Sequence, residues 1–236
     1  MPVSRPNLGD HSILYQIISA AFCVIVVLSN IISAKLIQLP LLQHFSIPAG
    51  LITYPLTFLL SDLVTEIYGA KKAKLMVYTT FIMSILSFGI IQIVLLLPAP
   101  EFENQTAFHT TLGLSGLRTF SSLVAYLVAQ IVDIQLYAWI KLWTRDRFLW
   151  LRNNGSTLIS QLVDTVIIDT IYLYWGLSME ITQVFQIMLF SYAYKSLFSA
   201  ASTPFLYFFL FLIKQWQILQ ASLRPPKIAS IGAGKN

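Results

Sequence analysis

The chain has 236 residues, of which 56% are hydrophobic and only 11% charged, and it carries a formal net charge of +5. Soluble domains hold roughly 25% charged residues, so the composition excludes a soluble globular domain and identifies an integral membrane protein. The positive charge calls for no nucleic-acid partner, because the basic residues gather between apolar runs, where they face anionic lipid.

A helix needs about 20 apolar residues to cross a bilayer. Six such runs follow one another, at residues 13–34, 50–69, 75–97, 117–142, 156–177 and 183–213. They predict an all-α integral membrane protein, a compact bundle of six transmembrane helices in one membrane domain over residues 1–236, with no soluble appendage.

The first run, Ile13 to Ala34, is too long for a signal-peptide core and is expected to stay as a membrane helix. It carries Cys23, the one cysteine, so a disulfide framework or cysteine metal site within one chain is excluded. Asn30 and Lys35 near its end are candidates for a polar lining. Residues 36–49 are apolar but contain Pro40 and Pro48, which disfavour an unbroken helix. Two readings stay open: a plug or lid over an outward-facing pocket, and a hydrophobic hairpin resting on the outer surface.

The second run holds the densest polar signal. At 100° per residue, Asp62, Thr65, Glu66 and Gly69 share one face, with Leu59, Leu60, Leu63 and Ile67 elsewhere, so one side reads as polar and the other as lipid-facing. Pro55 on the same stripe is placed to kink the helix. Glu66 lies near Lys71 and Lys72 and reads as an interfacial ion pair, whereas Asp62 lies deeper. In the fourth and fifth runs, Ala129-Gln130-Ile131-Val132-Asp133 and Ser160-Gln161-Leu162-Val163-Asp164 repeat one pattern 31 residues apart. Each Gln-x-x-Asp spacing puts an amide and a carboxylate on one helical face. Such groups either line a substrate site at a repeat interface or join helices by hydrogen bonds. Asp169 lies about 140° around the helix from Asp164, so the two form no adjacent dyad. In the sixth run Lys195, with Ser191, Tyr192 and Ser199 a turn away, either pairs with an aspartate or meets substrate. Small residues at Ser29-x-x-x-Ser33 and Ala125-x-x-x-Ala129 permit close helix contacts.

Orientation follows from the connections. Lys71, Lys72 and Lys74, then Lys141, Arg145, Arg147 and Arg152, then Lys214, Arg224, Lys227 and Lys235 fall in alternate connections, against Glu101, Glu103 and Glu180 in the others. The positive-inside rule makes the basic connections and both termini cytoplasmic.

Carboxylic acids at membrane depth are costly and usually mark a polar cavity or ion path. Five occur here, Asp62, Glu66, Asp133, Asp164 and Asp169, against Lys195 as the one comparably placed cation. The chemistry open to them is narrow. The chain lacks the Gly-x-Gly-Asp element of intramembrane aspartyl proteases, the His-Glu-x-x-His of zinc enzymes and any phosphate-cradling glycine loop. No catalytic role, cofactor or metal is therefore expected, and the acids, amides and aromatics such as Phe58 and Tyr137 point to recognition of a flat, donor-rich ring. A cation channel or membrane enzyme is the reading from another class.

Certain segments resemble a known family. Pro48-Ala49-Gly50, Tyr54-Pro55-Leu56-Thr57-Phe58, Ser61-Asp62 through Glu66-Ile67-Tyr68-Gly69, Leu151-Arg152-Asn153-Asn154 with Ser156-Thr157, and Ser160 through Thr165 are similar to the signature of the queuosine precursor (vitamin uptake) transporter family. Ser29-Asn30, Lys195 and Pro204 fit as well, so the resemblance covers residues 29–207, and Asp169 departs from it where an apolar residue is expected. The resemblance implies a six-helix importer in the bacterial inner membrane that takes up 7-deazaguanine precursors of a tRNA nucleoside, namely queuine or its aminomethyl and cyano precursors. On that reading the partners are a small heterocyclic substrate and the lipid bilayer. Asn30, Asp62, Gln130, Asp133, Gln161, Asp164 and Lys195 are the candidate substrate-binding residues, with Phe58 and Tyr137 as stacking partners. Asp133 or Asp164 would accept from the donor edge of the ring, Gln161 and Asn30 would supply amide contacts, and Asp62 would shape or couple the site. Coupling to protons, a separate ATP-driven module that the chain serves as binding subunit, and a homo-oligomer all stay open.

Overall fold

A computed structural model describes residues 8–33, 35–39, 42–98, 109, 112 and 116–223. Pro40, Glu101, Glu103, Arg224, Lys227 and Lys235 lie outside the described residues. The elements run α1 (Leu8–Ile32), β1 (Leu36–Leu39), β2 (Leu42–Pro48), a 3-10 turn (Ala49–Ile52), α2 (Tyr54–Tyr68), α3 (Ala70–Leu96), α4 (Gly116–Trp143), α5 (Leu149–Asp169), a π-helical turn (Thr170–Gly176) and α6 (Ile181–Leu223). The described residues are thus helical apart from one short hairpin. Among them, five stretches are long and apolar enough to cross a membrane: Ile13–Ile32, Ala70–Leu96, Thr119–Trp143, Leu149–Gly176 and Ile181–Ile213.

Helix α2 lies at the centre and packs on α1, α3, α4 and α6. Residues Thr57 to Leu59 and Ser61 to Thr65 are all buried. Its apolar side was expected to face lipid and does not. Leu59, Leu63 and Val64 join Phe22 and Val26 of α1, Met76 and Val77 of α3 and Tyr126 of α4 in one hydrophobic cluster. Lipid and a protein core are equally apolar, so periodicity cannot tell them apart. The lipid-type surface belongs instead to helices such as α3 and α6, where Leu75, Ile82, Leu86, Ile90, Ile93, Phe185, Leu197 and Phe208 are exposed.

Pro55 does not kink α2. It sits in the first turn, where its missing N–H leaves no helical bond unmade and its fixed φ suits the helix. At the other end α2 gives way to α3 across Gly69 alone, whose φ of 83° lies in the left-handed region that favours glycine. Lys71, Lys72 and Lys74 therefore occupy the first turns of α3 rather than a loop. Arg152 likewise leaves the basic connection in which it was counted: α5 begins at Leu149, and Arg152 is buried within it.

The segment after α1 is a regular antiparallel hairpin, with Leu36 opposite Pro48, Ile37 opposite Ile47 and Gln38 opposite Ser46. Its backbone groups are paired between the strands, which an irregular apolar loop would leave to water. The following 3-10 turn locks onto α1. A β-carbon on Gly50 would run into Ser33 Oγ and the Ser29 carbonyl, Thr53 and Ser29 hydroxyls share a hydrogen bond, and Ser33 Oγ donates to Ser29 O. The Ser29-x-x-x-Ser33 pair thus serves contacts within the chain, and Ala125 and Ala129 are likewise fully buried.

Candidate functional site: a buried polar column

Helix α5 is built inside out. Its buried residues are Arg152, Asn153, Ser156, Thr157, Ser160, Gln161, Asp164 and Thr165, every one polar, while Leu158, Ile159, Leu162 and Val166 are exposed. The polar stripe faces α4 and α6. Ser160 Oγ donates to Asp133 Oδ1 at 3.0 Å and Arg152 Nε to Tyr137 Oη at 3.4 Å, so α4 and α5 run antiparallel. That register brings Gln130 and Gln161 to one level across the α4/α5 interface, and makes the repeated Gln-x-x-Asp segments an opposed pair.

The column has three layers. At the end nearest the α4–α5 connection, Glu66 of α2 is clamped from two helices. Arg152 Nη2 reaches Glu66 Oε1 at 2.6 Å, Lys141 Nζ reaches Oε2 at 3.2 Å, and Tyr137 donates its hydroxyl to Oε2 at 2.9 Å. Arg152 Nη1 also meets Asp146 at 2.7 Å. The ion pair expected for Glu66 exists, but its partners are Arg152 and Lys141 rather than Lys71 and Lys72. A cavity of about 410 Å³ opens beside this cluster, lined by Thr65, Glu66, Lys141, Arg145 and Asp146 among others.

The middle layer holds Asp62, Asp133, Gln130 and Gln161, each at most 1% exposed. The carboxyls of Asp62 and Asp133 lie against each other. Asp62 Oδ1, Asp133 Oδ2 and both amide atoms of Gln130 and of Gln161 have no hydrogen-bond partner among the described residues. Leaving a buried polar atom unmatched costs about 1–3 kcal/mol, and two carboxylates in contact repel by about 4 kcal/mol even at an effective dielectric of 20. Among the described residues, this layer thus leaves acceptors, donors and acidic groups unmatched in the interior.

In the third layer Lys195 of α6 donates to Asp164 Oδ2 at 2.7 Å and to Thr165 Oγ1 at 3.2 Å. Lys195 thus takes the aspartate partner left open by sequence, and Asp164 is committed to it. Asp169 follows one to two turns on, with Oδ2 buried and unmatched at the mouth of the π-helical turn. Such turns frequently mark functional sites.

The remaining candidates fall around the column. Asn30 Oδ1 accepts from Ser122 Oγ at 3.4 Å, joining α1 to α4. Phe58 is 3% exposed on α2. The ring of Tyr137 is covered by the Arg152 guanidinium, 5.7 Å from its centroid, which leaves it a clamp for Glu66 rather than a free stacking platform. Arg152 and Ser160 are among the contributors missed from sequence. The unbroken polar spacing 152, 153, 156, 157, 160, 161, 164, 165 was the signal that would have found both.

Apolar helices around a buried polar core define a polytopic membrane protein. The chain belongs to the family described as "Putative vitamin uptake transporter", whose model matches residues 48–209. Among curated proteins it is 35% identical over 124 residues to the "Probable queuosine precursor transporter" of Bacillus subtilis (strain 168), covering 52% of this chain and 54% of that protein. It is 27% identical over 135 residues to the "Queuosine precursor transporter" of Escherichia coli (strain K12), covering 57% and 59%. The chain thus spans about half the length of the curated relatives it matches. No solved structure matches it.

Proposed function

We propose that the protein imports 7-deazaguanine precursors of queuosine, such as queuine or its aminomethyl and cyano forms, through the bacterial inner membrane to supply tRNA modification. The observation that carries this reading is the middle layer: two carboxyls and two carboxamides, fully buried and unmatched, in a chain whose relatives are named for this substrate class. A guanine-type ring presents N1–H and an exocyclic amine as adjacent donors, which one carboxylate accepts together, while an amide reads the O6 and N7 acceptors. Asp133 takes the donor edge, Gln130 and Gln161 read the acceptor edge, and Asp62 stands behind Asp133. Asp164 and Lys195, which pair with each other, position α5 against α6. Asn30, Phe58 and Tyr137 hold the surrounding helices in place.

In this reading all six helices cross the membrane. Helix α2, at 15 residues, is about 22 Å long, and the preceding 3-10 turn adds about 8 Å, together matching a hydrocarbon core of about 30 Å. The end carrying Lys71, Lys141 and Arg145 faces the cytoplasm, with both termini, and the hairpin faces outward.

The test is uptake of labelled 7-deazaguanines by a bacterial strain lacking its own importer. Expression of this chain should restore saturable uptake, and Asp133→Ala should abolish it. Uptake no greater than that of the empty strain would refute the proposal.

A further inference from the structure

Among the described residues, the buried cations are already taken: Arg152 by Glu66 and Asp146, Lys195 by Asp164. Asp62 and Asp133 make no salt bridge with any described residue, although both are essentially fully buried and their carboxyls touch. The groups facing them are known on each side. On α2, Glu66 lies one turn away; on α4, the Tyr137 hydroxyl; on α5, the Arg152 guanidinium beyond Glu66, and the hydroxyls of Ser156, Thr157 and Ser160 around Asp133. Those hydroxyls can donate to one carboxylate, Asp133. Among the described residues, Asp62 Oδ1 has no hydrogen-bond partner. Two carboxyls at contact cannot both stay ionised without a counter-charge. The cavity beside Glu66 is lined in part by Thr65, the residue one turn along α2 from Asp62, so the pair lies one helical turn from that cavity at the basic end.

We propose that Asp62, facing Asp133, is the proton-binding site of the carrier, and that one proton enters with each substrate. The proposal rests on the reading of the chain as an importer and specifies what drives it. A proton from the outer side forms the O–H bond of Asp62, which leaves Asp133 as a carboxylate free to accept from the ring's N–H donors. After the substrate departs inward, that O–H bond breaks and the proton passes to water in the cavity beside Glu66. The substrate itself is neither oxidised nor protonated.

The test uses the purified full chain in liposomes with the labelled cyano precursor, which carries no amine charge. Exchange of labelled for unlabelled probe reports the importer; accumulation under an imposed proton gradient reports coupling. One proton per substrate predicts roughly tenfold accumulation for each unit of pH difference. Whatever exchange Asp62→Asn retains should ignore the gradient, while Asp62→Glu, which keeps the carboxyl, should retain a response. Should Asp62→Asn fail to fold, the pH dependence of wild-type binding decides: probe affinity should fall as the pH is raised far enough to strip the pair of its shared proton. Wild-type exchange without gradient-driven accumulation, or a probe affinity that does not fall with rising pH, would overturn proton coupling and leave the importer standing. No exchange by the wild type would overturn both.

Discussion

Replacing Lys195 by methionine removes the cation from an ion pair that is almost completely desolvated. The side chains of Lys195 and Asp164 are 6% and 5% exposed and meet at 2.7 Å, and Thr165 Oγ1 also accepts from the ammonium. After Lys195→Met the Asp164 carboxylate stays buried with its principal partner gone. Breaking a buried pair from one side costs about 3–5 kcal/mol, whereas replacing both members by apolar residues of similar size is often neutral or better. At about 2–4 °C per kcal/mol for a chain of this size, the single variant should lose roughly 10 °C in Tm. The double variant Lys195→Met with Asp164→Leu should recover most of it. Thermal unfolding of the four detergent-solubilised proteins, followed by tryptophan fluorescence, closes the double-mutant cycle. A single variant as stable as the wild type, or a double variant no better than the worse single, would refute the pairing.

Other outcomes follow from the same structure. Gln130→Leu and Gln161→Leu each remove an amide with no bonded partner, so neither should lower Tm, yet each should weaken binding of a 7-deazaguanine roughly ten- to hundredfold in equilibrium titration; loss of stability with unchanged binding would contradict this. Gly50→Ala forces a β-carbon into Ser33 and the Ser29 backbone and should destabilise by about 1–3 kcal/mol. Gly89→Ala, with nothing within 4 Å of its new carbon, should be harmless or mildly stabilising by the same unfolding assay. Arg152→Leu strips the closest cation from Glu66 and should lower Tm more than Lys141→Leu, because Lys141 is 27% exposed against 4% for Arg152; equal losses would argue against Arg152 as the principal clamp.

Much of this architecture was written in the sequence, and its gaps have physical causes. Helices corresponding to the apolar runs, and the burial of Asp62, Asp133 and Asp164, were legible from hydropathy, since the bilayer sets a length and penalises a buried charge. The partner of Lys195 was not, because four aspartates were compatible with it and only packing between α5 and α6 selects Asp164. Arg152 was read as a topology signal: it follows Arg145 and Arg147 closely, and charge counting does not tell an arginine facing lipid headgroups from one turned inward onto Glu66. The apolar side of α2 was assigned to lipid for the corresponding reason, Leu63 and Val64 being equally at home against α1 and α3. The hairpin at 36–48 offered neither strict alternation nor a glycine turn by which to announce itself.

The central claim is that the unmatched carboxyls and carboxamides between α2, α4 and α5 form a 7-deazaguanine site. Equilibrium binding of queuine, its aminomethyl precursor and its cyano precursor to the purified protein tests it most directly, with Asp133→Asn measured alongside. Saturable binding of at least one of the three, lost in Asp133→Asn but kept in the exposed-surface variant Leu162→Ala, is the predicted result. Absence of binding to all three, or binding that Asp133→Asn leaves intact, would contradict it.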